Sequence, residues 1–208
     1  MIRRGFGWQK EADLGGAEWA DIVVRGDRLS ARGTAIGGTP VPYRLDYELD
    51  TGPDFVTQRL RVRSHGIGWR RHLDLRRADD GTWQADASQT GEPAELPATD
   101  LADPGASAGT LMDLASALDC DLGECPVTNT MPVLRRGLLR PGEPIDFVMA
   151  WISVPDLHVR RSDQRYTFLE PANDGGAVVR YESGSFSAAI RFDADGIVVD
   201  YPGLGRRL

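Results

Sequence analysis

The sequence predicts an all-β protein: a curved antiparallel sheet of about ten strands, bent into an open half-barrel or β-roll, with one or two short helices. Three observations point there. Residues 43–50 alternate strictly, with Tyr43, Leu45, Tyr47 and Leu49 on one face and Arg44, Asp46, Glu48 and Asp50 on the other, the period of a half-buried strand. The chain carries 24 glycines and 13 prolines, and they gather with Asp and Asn between such runs as turn signals. Strand-like runs do not alternate with helical segments of βαβ type, which argues against a parallel doubly wound sheet. With 208 residues, 41% of them apolar, the chain can bury one substantial core and reads as a single domain over 1–208.

The strand at 43–50 turns through Asp50-Thr51-Gly52-Pro53-Asp54 into a second at 55–63, where Val56, Leu60 and Val62 lie opposite Thr57, Arg59, Arg61 and Arg63. Residues 69–77 and 82–85 flank an Asp80-Gly81 turn signal as a second hairpin. Residues 86–110 are rich in Pro, Gly, Ala and acids and predict an acidic surface loop. Leu111, Leu114, Ala115 and Leu118, spaced by three and four, predict a short amphipathic helix. Strands return at 145–154, 165–169, 177–183, 186–192 and 197–201, punctuated by Asp174-Gly175-Gly176 and Asp195-Gly196. The run at 145–154 is apolar on both faces after Asp146. It is therefore sandwiched between the core and a covering helix, or it lines an apolar cavity.

A net charge of -7 opposes non-specific attraction to nucleic acid or to anionic headgroups, so no nucleic-acid partner is expected. The charges are segregated: Arg59, Arg61, Arg63, Arg70, Arg71, Arg76 and Arg77 fall together, whereas 78–134 contains no Lys or Arg. No apolar run approaches the roughly 18–20 residues of a membrane-spanning helix. The first ten residues carry positive charge without the apolar middle of a signal peptide, which predicts a cytoplasmic protein.

Cys120 and Cys125, with no His close in sequence to complete a tetrahedral set, are expected to be reduced thiols and not metal ligands. His65, His72 and His158 fall in no serine-nucleophile, zinc or phosphate-loop pattern, and no cofactor is implied. Chemistry-bearing residues concentrate at 119–136. Asp119, Asp121 and Glu124 could serve acid–base work if burial and mutual repulsion split their pKa values. They could equally accept backbone N–H groups and hold the segment against Arg135 or Arg136. In Thr128-Asn129-Thr130 an amide flanked by hydroxyls matches the vicinal hydroxyls of a sugar, although Asn129 also fits a turn fixed by Pro126 and Pro132. Of Trp8, Trp19, Trp69, Trp83 and Trp151, the last lies in the two-faced strand and is the candidate wall for a ligand.

The segment 119–136, followed in order by Gln164-Arg165-Tyr166-Thr167 and Gly196-Ile197-Val198-Val199-Asp200-Tyr201-Pro202, resembles the bacterial family of "putative glycolipid-binding" proteins. That family is similar in fold to lipid carriers of the LolA and LolB type. The resemblance implies a curved sheet around an apolar hollow that holds acyl chains, with 145–154 as a wall and 111–118 as a lid. It places Asp119, Asp121, Thr128, Asn129, Arg135, Gln164, Arg165, Tyr166 and Tyr201 at motif positions. With Trp151 these form the expected binding site, and no catalytic residue is carried over. The expected function is non-catalytic binding of a lipid or glycolipid. The alternatives are an enzyme acting on a small polar or lipidic substrate through Asp119, Asp121 or Glu124, and a scaffold with a filled core.

Overall fold

A computed structural model describes residues 1–91 and 109–208. Its fifteen strands belong to one sheet in the order β8-β7-β6-β5-β4-β3-β2-β1-β15-β14-β13-β12-β11-β10-β9. The first meander comprises β1 (Ile2–Lys10), β2 (Gly16–Arg25), β3 (Arg28–Gly37), β4 (Tyr43–Thr51), β5 (Thr57–Gly66), β6 (Trp69–Arg77), β7 (Trp83–Thr90) and the short β8 (Gly109–Thr110). The second comprises β10 (Ile145–Ile152), β11 (Val159–Pro171), β12 (Ala177–Ser183), β13 (Phe186–Phe192), β14 (Val198–Tyr201) and β15 (Gly205–Arg207). Antiparallel pairing of β1 with β15, Trp8 opposite Arg207 and Lys10 opposite Gly205, joins them. At the far edge β9 (Asp119–Leu122) runs parallel to β10. The end strands β8 and β9 do not pair with each other, so the all-β sheet is curved but open.

The strands follow from alternation. In β4 the residues Tyr43, Leu45, Tyr47 and Leu49 are all buried while Arg44, Asp46 and Asp50 are exposed, the pattern read from sequence. β1, β2 and β3 were not legible as strands and raise the count above ten. Their inward positions include Lys10 and Glu18, and Trp19 faces outward at 54% exposure, so polar residues point in and an aromatic points out. Of the loop expected at 86–110, residues 86–90 instead complete β7 and 109–110 form β8, and 92–108 lie outside the described residues. The helix expected over 111–118 is reduced to one 3-10 turn, Met112–Leu114. A helix forms instead as α1 (Thr130–Arg136), continuing a 3-10 turn at Pro126–Asn129. Pro132 is tolerated there because it sits in the first turn, where its missing N–H has no intrahelical acceptor to lose. Gly137, in the left-handed region at φ 64, closes the helix.

The segment between β8 and β10 fills the concave side of the first meander. Leu114, Ala117, Cys120, Leu122, Cys125, Val127 and Met131 pack in one cluster with Trp8, Ile22, Leu45, Leu60, Leu73, Leu75 and Trp83. Hydrogen bonds fix it: Trp83 Nε1 and Arg77 Nε donate to the Ala117 carbonyl, and the Cys120 amide donates to Thr57 Oγ1 at 3.0 Å. A second cluster, with Val133, Met149, Tyr166, Val179, Ile190 and Phe192, lies under the second meander. β10 serves both, with Ala150 and Ile152 in the first and Met149 in the second. Its two apolar faces are explained by two packed cores. The hollow implied by the LolA and LolB resemblance is thus occupied by the chain's own side chains.

Because hairpins alternate along a meander, the turns after β1, β3, β5, β10, β12 and β14 all emerge at one end of the sheet, called here the upper end.

Candidate functional site

A cleft of ≈ 880 Å³ opens at the upper end of the second meander. Its floor is the end of β9 and the following Gly123, Glu124 and Cys125; one wall is Trp151 with Arg160, and the other is Tyr181, Phe186 and Tyr201. Leu14, Val154 and Leu204 form an apolar rim. Polar and apolar atoms share the lining, so the cleft differs from the greasy hollow expected from sequence.

The aromatic wall is a ladder. Phe147 meets Tyr166 edge to face at a centroid distance of 5.3 Å, Tyr166 meets Tyr181 at 5.3 Å, and Tyr181 meets Tyr201 at 6.0 Å and Phe186 at 5.9 Å. The strands bring these rings together because Tyr166 and Tyr181 are directly paired across β11 and β12. Burial pushes the Tyr181 and Tyr201 hydroxyls above their usual range, Tyr181 with a further push from Asp121, so both are neutral donors and acceptors. On the facing wall the Arg160 guanidinium stands 4.2 Å from the Trp151 ring centroid, a cation–π contact. Gly123 lies under that ring: a Cβ there would come within 2.9 Å of the Ile152 carbonyl and 3.3 Å of Trp151.

Behind the floor runs a buried hydrogen-bond relay. Asn129 Nδ2 donates to the Tyr166 hydroxyl at 3.0 Å, and Gln164 Nε2 donates to Asp121 Oδ2 at 2.7 Å. Thr128 Oγ1 lies 3.0 Å from Asp121 Oδ1 and accepts from the Leu122 amide at 3.2 Å. Burial raises the Asp121 carboxyl above the usual carboxylate range, and the bonds from Gln164 and Thr128 oppose that shift. These contacts also fix the orientation of Asn129, which binds a side chain and not the turn backbone considered at sequence level.

Beside the cleft, Glu124 accepts from Lys10 Nζ at 2.8 Å and from the Tyr43 hydroxyl at 2.7 Å, while Lys10 also donates to Tyr43 at 2.6 Å. This triangle holds Glu124 in the left-handed region at φ 58. One strand register further in, Tyr47 donates to Glu18 at 2.5 Å, and desolvation lifts the Glu18 carboxyl from 4.5 to about 7 against the pull of Tyr47 and Lys10.

Of the sequence-level candidates, Asp121, Asn129, Trp151 and Tyr201 line the cleft, and Thr128, Gln164 and Tyr166 stand directly behind its surface. Asp119 is not at the cleft. It is 1% exposed and locked in a two-pronged pair with Arg135, one contact at 2.6 Å, and this pair ties α1 to β9. Arg165 is a correction: it points to the outer surface of β11 and pairs with exposed Asp146 at 2.6 Å. Adjacent strand residues face opposite sides, so a motif Gln164-Arg165-Tyr166 cannot place all three in one site. Lys10, Tyr43, Arg160, Tyr181 and Phe186 were missed, since in sequence each reads as an ordinary strand or loop residue. Among the described residues no group of three His, Cys, Asp or Glu side chains is placed to hold a metal ion, and Cys120 and Cys125 are free and buried.

A family model described as "Putative glycolipid-binding" matches residues 6–207. The crystal structure of a DUF1089 family protein from Pseudomonas aeruginosa is similar over 92% of this chain and 92% of its own, with a TM-score of 0.67 and 27% identical residues. No protein of curated function matches.

Proposed function

Since the chain belongs to this glycolipid-binding family, we propose that it binds the sugar headgroup of a glycolipid in the upper cleft and does not turn it over. The observation that carries this reading is the pairing, in one open cleft of ≈ 880 Å³, of aromatic faces with buried, pre-oriented polar groups. Trp151 holds the Arg160 guanidinium on its ring as a cationic donor to the sugar's hydroxyls, and Tyr181 and Tyr201 offer hydroxyls to its edge. Asp121 and Asn129 are held by side-chain partners before any ligand arrives, which reduces the ordering cost of binding. The acids are engaged by hydrogen bonds or cations, an arrangement suited to recognition.

Magnitudes divide the labour. Each headgroup hydrogen bond contributes about 0.5–1.5 kcal/mol net. An acyl chain can cover only the rim of Leu14, Val154, Phe186 and Leu204, where each buried methylene adds about 0.8 kcal/mol. Headgroup contacts therefore carry most of the selectivity, and the first few methylenes add affinity without needing an internal hollow.

The test is a titration of the protein with short-chain alkyl glycosides below their micelle concentrations, followed by tryptophan fluorescence and calorimetry. Binding is expected, and Trp151→Ala should weaken it by about 2 kcal/mol, some 30-fold. Absence of binding, or equal affinity in the variant, contradicts the proposal. Release of free sugar that stops in Asp121→Asn would replace it with the enzymatic reading.

A further inference from the structure

The convex face of the first meander carries four rows of residues that lie side by side across β4, β5, β6 and β7. In the lower two rows the arginines are neutralised. Arg61 pairs with Glu48, and Arg59 and Arg76 both pair with Asp74. The upper two rows are built differently. Arg44 stands opposite His65, and His65 opposite Arg70, in the row nearest the turn; Asp46, Arg63 and His72 form the next. Arg44, Arg63 and Arg70 are exposed and have no ion-pair partner among the described residues. The one acid, Asp46, accepts from Thr34 at 2.7 Å.

A protein with a net charge of -7 places two exposed arginines, Arg44 and Arg70, in one cross-strand row with His65 between them. Screening makes the local charge decide, since the Debye length of about 8–10 Å is of the order of this patch. The turn that follows the row, Gly66-Ile67-Gly68, projects Ile67 at 91% exposure. A basic row beside a protruding aliphatic tip matches a bilayer surface, where cations meet lipid phosphates and a branched side chain enters the acyl boundary.

We infer that the upper end of the first meander docks on an anionic lipid bilayer through Arg44, His65, Arg70 and the tip residue Ile67. The same end of the sheet bears the mouth of the cleft, because Leu14, Val154, Phe186 and Leu204 all belong to or border its turns. Docking therefore brings the cleft mouth to the lipid surface, where a headgroup projects. The inference stands apart from headgroup recognition, since charge and the apolar tip alone carry it.

The experiment is cosedimentation of the full chain with phosphatidylcholine vesicles and with vesicles in which part of the phosphatidylcholine is replaced by phosphatidylglycerol, with no glycolipid in either. The protein should partition onto the phosphatidylglycerol vesicles and be released by added salt. Replacing both Arg44→Ser and Arg70→Ser should weaken partitioning about 30-fold, from about fivefold per surface arginine. Ile67→Ser should weaken it while leaving the salt dependence unchanged. All three side chains lie on the convex face or turn tip, outside both core clusters, and an unchanged thermal-unfolding midpoint of the variants serves as the control for folding. No partitioning at low salt, equal partitioning of the double variant, or equally tight binding of the wild type to duplex DNA would overturn the inference.

Discussion

Glu18 sits inside the sheet with Tyr47 donating to it at 2.5 Å and Lys10 nearby, and its carboxyl is lifted from 4.5 to about 7 chiefly by desolvation. A carboxyl whose folded pKa lies above its unfolded value binds its proton more tightly in the native state. Its stabilising contribution is complete below pH 4.5, falls as pH rises through the window up to about 7, and is absent above it. The shift corresponds to about 3 kcal/mol. Glu18→Gln keeps the shape and the hydrogen bond from Tyr47 while removing the titration. Denaturant unfolding across that window should show the wild type losing stability relative to the variant as pH rises. A constant difference between the two would refute the assignment. None of this was legible in sequence, because a Glu between Ala17 and Trp19 reads as an outward residue; only the register with Tyr47's face turns it inward. Trp151 was legible, since an aromatic in a strand apolar on both sides needs an environment on each. Arg165 was not separable from its neighbours, because a short motif carries no record of which side of the strand each residue faces.

The segment from 111 to 136 does the work that a lid and a ligand were expected to share. β9 adds a parallel edge to β10, α1 and the preceding 3-10 turn return the chain, and their apolar residues complete the core of the first meander. Met131, fully buried, touches this core from α1, and Thr57 Oγ1 lies 3.8 Å from its sulfur. Met131→Ala should cost about 2–5 kcal/mol, read as a lowered midpoint in thermal or chemical unfolding. A change under about 1 kcal/mol would show that the segment covers the sheet without filling it. The hairpins of β6 with β7, of β11 with β12 and of β13 with β14 were legible because alternation agrees with the turns Asp80-Gly81, Asp174-Gly175 and Asp195-Gly196. α1 was hidden by Pro132, which ordinarily signals a break, and by Thr and Asn, which favour turns; its burial against the sheet supplies what local propensity lacks.

At the scale of the whole molecule, two meanders meet at β1 and β15, where the Trp8 indole also donates to the Val198 carbonyl at 2.9 Å. The upper end gathers features that lie far apart in sequence: the turn at Leu14, Asp121 in β9 and Glu124 after it, Trp151, and the ring cluster of β12 to β14. That convergence explains why the class of fold was readable from periodicity while the cleft was not, since no local pattern records which turns emerge together. The apolar hollow failed for a similar reason: two-sided burial of β10 reflects two cores, and only the three-dimensional arrangement distinguishes a core from a void. Hydrogen–deuterium exchange with and without a short-chain alkyl glycoside tests the headgroup site most directly. Binding in the cleft predicts slowed exchange at 181–186, 203–204 and 121–125, with the convex face of β4 to β7 unchanged. Protection confined to other strands, or none at saturating glycoside, would contradict it.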